Sequence, residues 1–145
     1  MTSATAKPQA AEFRCTVVTP ERTVRDSAAE FVAVTLFDGE LGIAPGHAPL
    51  VGRLGWGEMR ITAGGQLERY YVEGGFVEVL GNAVTVLSPR VVAAETLDAA
   101  VVREQLATAQ ERPAATPELL AARQRAVAQY RAQLLVARHF RESPV

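Results

Sequence analysis

The stretch Glu58-Met59-Arg60-Ile61-Thr62-Ala63-Gly64-Gly65-Gln66 decides the fold class of this chain. Apolar Met59 and Ile61 alternate with polar neighbours, which is the pattern of a strand with one buried face. The residues from Ala63 to Gln66 form a good hairpin connection, because the two glycines tolerate positive φ. The stretch therefore predicts two antiparallel strands joined by a tight turn.

Further strands are predicted on both sides of this hairpin. Val77 and Val79 alternate with polar residues, and Gly81-Asn82 is a second tight turn. The run at residues 31–36 is apolar on both faces, so both faces should be covered. Short strands with tight turns and no intervening helix predict an antiparallel β-sandwich over residues 12–94.

The last third of the sequence is rich in Ala, Leu, Gln, Glu and Arg, which favour helices, and contains no glycine. Asp98 can cap a first helix that runs to about Glu111, and Thr116-Pro117 is a good start for a second. We expect a two-helix hairpin over residues 95–145. Short Ala-rich helices are marginally stable alone, so this hairpin should depend on docking and could detach. The predicted docking face of the second helix contains Leu120, Val127, Tyr130, Leu134 and Ala137.

Composition excludes several classes of protein. The formal net charge of -1 gives no basic excess for nucleic acid. The single cysteine, Cys15, excludes an internal disulfide; its neighbours suggest a small buried hydrophobe, with a reactive thiol as the alternative. No run of about 18 apolar residues is present, and residues 1–11 are polar. We predict a soluble protein without direct membrane insertion, whose residues 1–11 form a disordered extension.

The sequence offers no catalytic constellation. His47 and His139 lie in different segments, without the spacing of a zinc site. The glycines between Gly39 and Gly46 are not followed by the Lys-Ser/Thr pair of a phosphate-binding loop. We therefore predict no enzyme acting alone, no metal and no cofactor.

The stretch from Asp38 to Leu50 carries three glycines, two prolines and one histidine. Glycine and proline at this density fix a defined backbone path, which would present the polar side chains of Glu40 and His47. Two interpretations stay open from the residues alone. The stretch is either a contact surface or a packed loop in which His47 binds a neighbouring carbonyl.

This stretch closely resembles the corresponding loop of the epsilon subunit of F-type ATP synthases. Residues 55–61 resemble the strand that follows the loop in that family, and residues 73–79 and 82–87 resemble its late hairpin. The resemblance covers the chain from about Phe13 to Leu87 in the family's order. It implies a non-catalytic rotor subunit of the central stalk, which couples the gamma subunit to the membrane c-ring of a proton-translocating F-type ATP synthase.

The resemblance also implies roles for individual residues. Glu40 and His47 are carried over as c-ring contacts, and Gly42, Pro45 and Gly46 as the scaffold of the loop. One face of the sandwich should hold gamma. As part of the complex, the protein would lie peripherally on the cytoplasmic face of the bacterial inner (plasma) membrane.

In this family the C-terminal helices can extend along the stalk and inhibit ATP hydrolysis. The arginines of the second predicted helix have three open interpretations: a solvated face, an anion-binding surface, or a latch onto an acidic partner surface. The resemblance implies the alpha and beta catalytic subunits as the partners of such a latch. We take the latch as the candidate that the resemblance favours. Its residues are Arg123, Arg125, Arg131 and Arg138.

Some bacterial epsilon subunits bind ATP through an Ile/Leu-Asp-x-x-Arg-Ala motif that opens the first helix. Here the matching residues are Leu97-Asp98-Ala99-Ala100-Val101-Val102, so that Asp98 matches but Val101 replaces the arginine. Arg103 lies about 200° further round the helix and should face another way. We predict no ATP sensing, or only weak sensing.

Two other classes of function remain as alternatives. One is a stand-alone β-sandwich binding module with an accessory helical pair, and the other is an enzyme of unknown type. A ligand groove lined by aromatic residues is poorly supported by one Trp and three Tyr. Trp56 is expected to pack at the rim of the sandwich, with an interface anchor as the alternative.

Overall fold

The computed structural model describes residues 12–142, so the predicted extension at residues 1–11 lies outside the described residues. Within them, eight strands form a sheet that is followed by a short 3-10 helix and two α-helices. The strands are β1 Phe13–Val18, β2 Thr23–Ala29, β3 Phe31–Leu36, β4 Gly39–Ile43, β5 Leu50–Ala63, β6 Gln66–Leu80, β7 Ala83–Leu87 and β8 Val91–Ala93. The helices are the 3-10 helix Ala94–Thr96, α1 Ala99–Gln110 and α2 Pro117–Glu142.

The strand order is β2-β1-β7-β6-β5-β3-β4, and β8 pairs with β6. Both predicted tight turns are confirmed, since they separate β5 from β6 and β6 from β7. One pair, β1 with β7, is parallel rather than antiparallel as predicted. The reason is that hairpin turns govern only strands that are neighbours in sequence, whereas β1 meets β7 across a long connection.

The sheet folds over into two layers because β5 and β6 are long enough to take part in both. Their ladder is interrupted at Gly55 and Gly74, where the hairpin bends. At the next position, Gly75 has a φ of 104° and lies directly against the backbone of Leu87 and Ser88. A side chain at Gly75 would have no room.

One apolar core fills the space between the layers. Val17 of β1 and Ile43 of β4 come from opposite halves of the strand order, and both are completely buried in it. Arg25 on the edge strand β2 is bonded to Glu68 of β6, with Nε and Oε1 2.9 Å apart. The predicted fold class, a β-sandwich followed by a two-helix hairpin, is confirmed.

The helix starts are also as predicted. Asp98 is the N-cap of α1, because its Oδ1 accepts a hydrogen bond from the backbone N–H of Ala100 at 3.0 Å. Thr116 caps α2 in the same way, with Oγ1 3.1 Å from the N–H of Leu119. These bonds satisfy backbone donors that would otherwise be unpaired at each helix start.

The docking face of α2 agrees only in part with the predicted face. Of the five predicted residues Ala137 is buried, Val127, Tyr130 and Leu134 are half-buried, and Leu120 is exposed. The prediction was based on the largest apolar side chains of the helix. In the structure it is Val136 that packs against Tyr71 and Ala94 of the sandwich. The buried residues of α2 are Ala126, Gln133, Val136 and Ala137.

Candidate functional site

Glu40 lies on strand β4, whereas the sequence predicted a loop. β4 pairs with β3 so that Glu40 is opposite Thr35. The side chain of Glu40 is 57% exposed, and its Oε2 is 3.6 Å from Nη1 of Arg60 on β5. The strand forms because Leu41 and Ile43 pack on the core, an alternation that the density of glycine and proline obscured. Glu40 is therefore presented from a rigid element.

His47 lies in a turn that follows β4. The N–H of His47 donates to the carbonyl of Ala44 at 3.2 Å, with Pro45 and Gly46 between them. Gly46 has a φ of 83°, which together with the preceding proline defines a type II turn. Nδ1 of His47 is 2.7 Å from the carbonyl oxygen of Ala48. This is the local bond that the packed-loop interpretation expected.

The three predicted scaffold residues act in two different ways. Pro45 and Gly46 set the turn, because proline fixes φ at one central position and glycine permits a positive φ at the next. Gly42 instead makes room for the ring of Phe31, since a Cβ there would lie 2.8 Å from Cζ of that ring. All three positions thus shape the backbone around the candidate contacts.

Glu40 and His47 have different partners, and the described residues show no hydrogen bond between them. Three steps of strand, or about 10 Å, separate Glu40 from Ile43, and the turn lies beyond Ile43. The two side chains can therefore belong to one extended surface.

The charged cluster around Glu58 was not predicted from the sequence. This side chain on β5 is only 8% exposed. Its Oε1 is 2.9 Å from Nη1 of Arg60, and its Oε2 is 2.8 Å from Nη1 of Arg69. Nδ1 of His139 on α2 lies 3.4 Å from Oε1. Burial opposes ionisation, but the hydrogen bonds from Arg60 and Arg69 outweigh it and hold the pKa of Glu58 below its usual value.

A signal for this cluster was present in the predicted hairpin. The turn at Gly64-Gly65 fixes a register in which Arg60 lies opposite Arg69. Two like charges in that position repel one another unless a carboxylate lies between them. The prediction instead assumed that this polar face met solvent, because the sequence does not say where α2 docks.

Glu58 and Glu68 should make the protein sensitive to acid. Burial raises the pKa of each carboxyl, but arginine side chains donate hydrogen bonds to both carboxylates, and the net effect in the folded protein is a lowered pKa. Their stabilisation is present above the unfolded pKa of about 4.3 and is lost as pH falls through the folded pKa. We expect the thermal unfolding midpoint to fall as pH drops below about 4.5. Circular dichroism against pH checks this, and a midpoint that rises on acidification would contradict it.

The candidate latch arginines do not form one patch. Arg131 and Arg138 lie about 80° and about 60° round the helix from Arg123, but Arg125 lies about 160° away. Nη1 of Arg123 donates to the carbonyl of Arg112 at 3.2 Å, and Arg123 and Arg131 line one groove between α1 and α2. The other two are exposed. Three of the four arginines thus share one side of α2.

Asp98 has a structural role as the cap of α1. Asp98 and Arg103 line the same depression of about 430 Å³, whereas Val101, at the position of the motif's arginine, does not line it. The last turn of α2 closes this depression with Phe140 and Arg141. The expected lack of ATP sensing stays a prediction.

Cys15 is completely buried, and burial raises the pKa of its thiol to about 11. The interpretation as a small buried hydrophobe is therefore confirmed. Trp56 is 39% exposed at the bend of the long hairpin. No group of three or more His, Cys, Asp or Glu residues within 12–142 could hold a metal ion. Neither α-helix in that range has the length and apolar character needed to cross a membrane.

The outer surface of one layer carries an unusual number of apolar side chains. Phe76 and Leu87 are cross-strand partners, so their side chains point to the same side of the sheet, and each is about half exposed. Val51 and Leu80 point to the same side and are more exposed still. We call these four residues the outer apolar face. Glu78, also exposed on this side, lies between Phe76 and Leu80 and opposite Val51, so one acidic residue interrupts the apolar side chains. Exposed apolar side chains grouped on one side of a sheet are typical of protein interfaces.

Comparison with known proteins places the chain in a family. Residues 12–94 match the family model for the β-sandwich domain of the ATP synthase delta/epsilon chain. The ATP synthase epsilon chain of Rhodopirellula baltica is 45% identical over 126 residues, which cover 87% of this chain and 98% of that protein. The ATP synthase epsilon chain of Carboxydothermus hydrogenoformans is 40% identical over 101 residues, which cover 70% of this chain and 75% of that protein.

Two solved assemblies contain chains of the same fold. One is from the Euglena gracilis mitochondrial ATP synthase with OSCP, F1 and c-ring, at a TM-score of 0.78 and 19% identity, covering 90% of this chain and 82% of that chain. The other is from the central stalk and c-ring of the Tetrahymena thermophila mitochondrial ATP synthase, at a TM-score of 0.64 and 16% identity. This match covers 91% of this chain and 99% of that chain. From the family match and the near full-length relative, the chain belongs to the family of ATP synthase epsilon chains, which are non-catalytic subunits of that complex.

Proposed function

We propose that this chain is a rotor subunit in the central stalk of a proton-translocating F-type ATP synthase, where it couples gamma to the c-ring. It would lie peripherally on the cytoplasmic face of the bacterial plasma membrane. Family membership over nearly the whole length of the Rhodopirellula relative carries this proposal. The sandwich at residues 12–94 serves as a stiff collar, and residues 95–145 serve as a separable regulatory unit. A single close-packed core between two layers supports the first role.

Glu40 and His47 are the proposed contacts to the c-ring. Glu40 is exposed on a paired strand, and His47 is positioned by a hydrogen-bonded turn. Both backbones are fixed, so torque can cross the contact without being absorbed by deformation of a loop. The exposed charge of Glu40 suits the polar loops of a c-ring better than an apolar partner.

The outer apolar face is the proposed contact to gamma. Phe76 and Leu87 together line a depression that also contains Pro20 and Pro89. Arg53, the other cross-strand partner of Phe76, stacks over the ring of Phe37 at 4.9 Å. An apolar centre with an arginine and an aromatic residue at its side has the composition of a stable protein interface.

The helical hairpin is the proposed inhibitor of ATP hydrolysis. The side of α2 that carries Arg123, Arg131 and Arg138 would bind the alpha and beta subunits when the hairpin extends. Its apolar contact with the sandwich is small, which supports reversible docking. A docking free energy of a few kcal/mol can be outweighed by new contacts elsewhere.

Affinity purification from membranes of the native organism tests the assignment. Tagged protein should bring down gamma and the c-ring, and Phe76→Glu should lose gamma. Val101→Glu is the matched control, because Val101 is also exposed but lies on α1, away from the outer apolar face. A tagged protein that brings down no ATP synthase subunit would favour the alternative, a stand-alone β-sandwich binding module.

A further inference from the structure

The helical hairpin is attached to the sandwich mainly through α2. The apolar part of this attachment contains Tyr71 and Ala94 on the sandwich and Val136 on α2, with Leu97 and Phe140 at its margin. This cluster is much smaller than the core between the sheets. The polar contacts beside it must therefore contribute to where and how firmly α2 docks.

Among the described residues of α2, Gln133 and His139 make polar contacts with the sandwich. Gln133 is 3% exposed and is hydrogen-bonded to Tyr71. One turn and a half further along, Nδ1 of His139 lies 3.4 Å from Oε1 of Glu58. An imidazole that carries a hydrogen on Nδ1 donates to this carboxylate whether the ring is neutral or protonated. His139 is thus the residue of α2 that meets the buried charge of the sandwich.

The other partners of Glu58 belong to the sandwich. Arg60 lies on the same strand, and Arg69 lies on the neighbouring strand β6, at 2.9 and 2.8 Å. When α2 leaves, both guanidinium groups stay with the carboxylate, and water reaches the side that His139 covered. A buried charge that loses its only partner is strongly destabilising, but Glu58 does not lose its only partners.

We propose that Glu58 is a docking post for the helical hairpin and that His139 engages it as a second, intramolecular latch, separate from the candidate latch arginines. Because the post is neutralised from within the sandwich, the latch can open without leaving an isolated buried charge. The pair therefore sets the balance between docked and undocked hairpin. This deepens the regulatory role given to the hairpin under the proposed function and rests on that role for its biological meaning.

Hydrogen exchange of the isolated full chain tests the latch. His139→Ala should raise the exchange rates of the slowest α1 and α2 amides by about two- to fivefold, the effect of losing one partly exposed charged contact. The amides of β5 and β6 should keep their wild-type rates. Arg138→Ala is the matched control, since it changes the neighbouring, exposed residue in the same helical turn. Wild-type rates in His139→Ala, or an equal increase in both variants, would overturn the proposal.

A second variant tests whether the latch acts through Glu58. In a Glu58→Ala background, which removes the acceptor oxygens, His139→Ala should raise the helix exchange rates by much less than it does in the wild type. An undiminished increase would show that His139 acts through another contact and would overturn the role of Glu58. If Glu58→Ala also speeds exchange in the sandwich, the comparison of His139→Ala with Arg138→Ala still decides the matter. These measurements need no gamma or c-ring, so they fail or succeed independently of the rotor assignment.

Discussion

Ending the chain after Ala94 is expected to leave the ATP synthase assembled and coupled while its rate of ATP hydrolysis rises severalfold. Every buried member of the sandwich core lies between Phe13 and Val86, so the truncation removes none of them. The proposed c-ring and gamma contacts also lie before Ala94. What is lost is the hairpin, together with the arginines proposed to bind the catalytic subunits.

The truncation is measured in membranes, as the ATP hydrolysis rate and as ATP-driven proton pumping. A triple variant, in which Arg123, Arg131 and Arg138 are all replaced by Ala, should also raise the rate of ATP hydrolysis. Arg125→Ala, which alters the opposite side of α2, is its matched control. Unchanged hydrolysis in the truncated complex would remove the inhibitory role, and loss of assembly would contradict the division at residue 94.

Replacing Gly75 with alanine is expected to lower the free energy of unfolding by about 2–4 kcal/mol, because a Cβ overpacks a site that has no space. That Cβ would run into the carbonyl of Leu87 and would lie 2.8 Å from Cα of Ser88. Both are backbone groups of the neighbouring strand and its end, so neither can rotate away. The φ of 104° adds a conformational cost for any residue with a side chain.

Gly65→Ala is the control for this prediction. Gly65 also has a positive φ, of 77°, but a Cβ there meets no atom within 4 Å. The control should therefore lose only the conformational part, about 1 kcal/mol. Denaturant-induced unfolding gives both values. Equal losses in the two variants would mean that the strands do not approach one another closely at Gly75.

The predictable parts of the fold were those set by neighbours in sequence. The turn at Gly64-Gly65 and the caps at Asp98 and Thr116 depend on short-range geometry, and all three are as expected. The alternation around Met59 also identified a buried strand, since Met59 is completely buried. Turns and helix caps can be predicted from short stretches of sequence, because their residues meet local requirements of the backbone that do not depend on tertiary packing.

The features that were missed depend on residues distant in sequence. The parallel pairing of β1 with β7 depends on which strand edge is free in the assembled sheet. The docking face of α2 depends on which surface of that sheet is uncovered. The role of Glu58 required knowing that His139, 81 residues away, covers it. For the candidate site, the sequence offered Glu40 and His47 as candidates, and their role stays a prediction; it could not say that one lies on a strand and the other in a turn.

The proposed rotor role requires that Glu40 lies against the c-ring in the assembled enzyme. Glu40→Cys, treated in native membranes with a short thiol-directed photo-cross-linker, tests it directly. Cys15 can stay in place, because its buried thiol has a raised pKa and should not react. Glu118→Cys, exposed in the first turn of α2, is the control. We expect a cross-link from Glu40→Cys to the c subunit and none from the control; a Glu40→Cys protein that assembles with gamma but never cross-links to the c subunit would contradict the proposed contact.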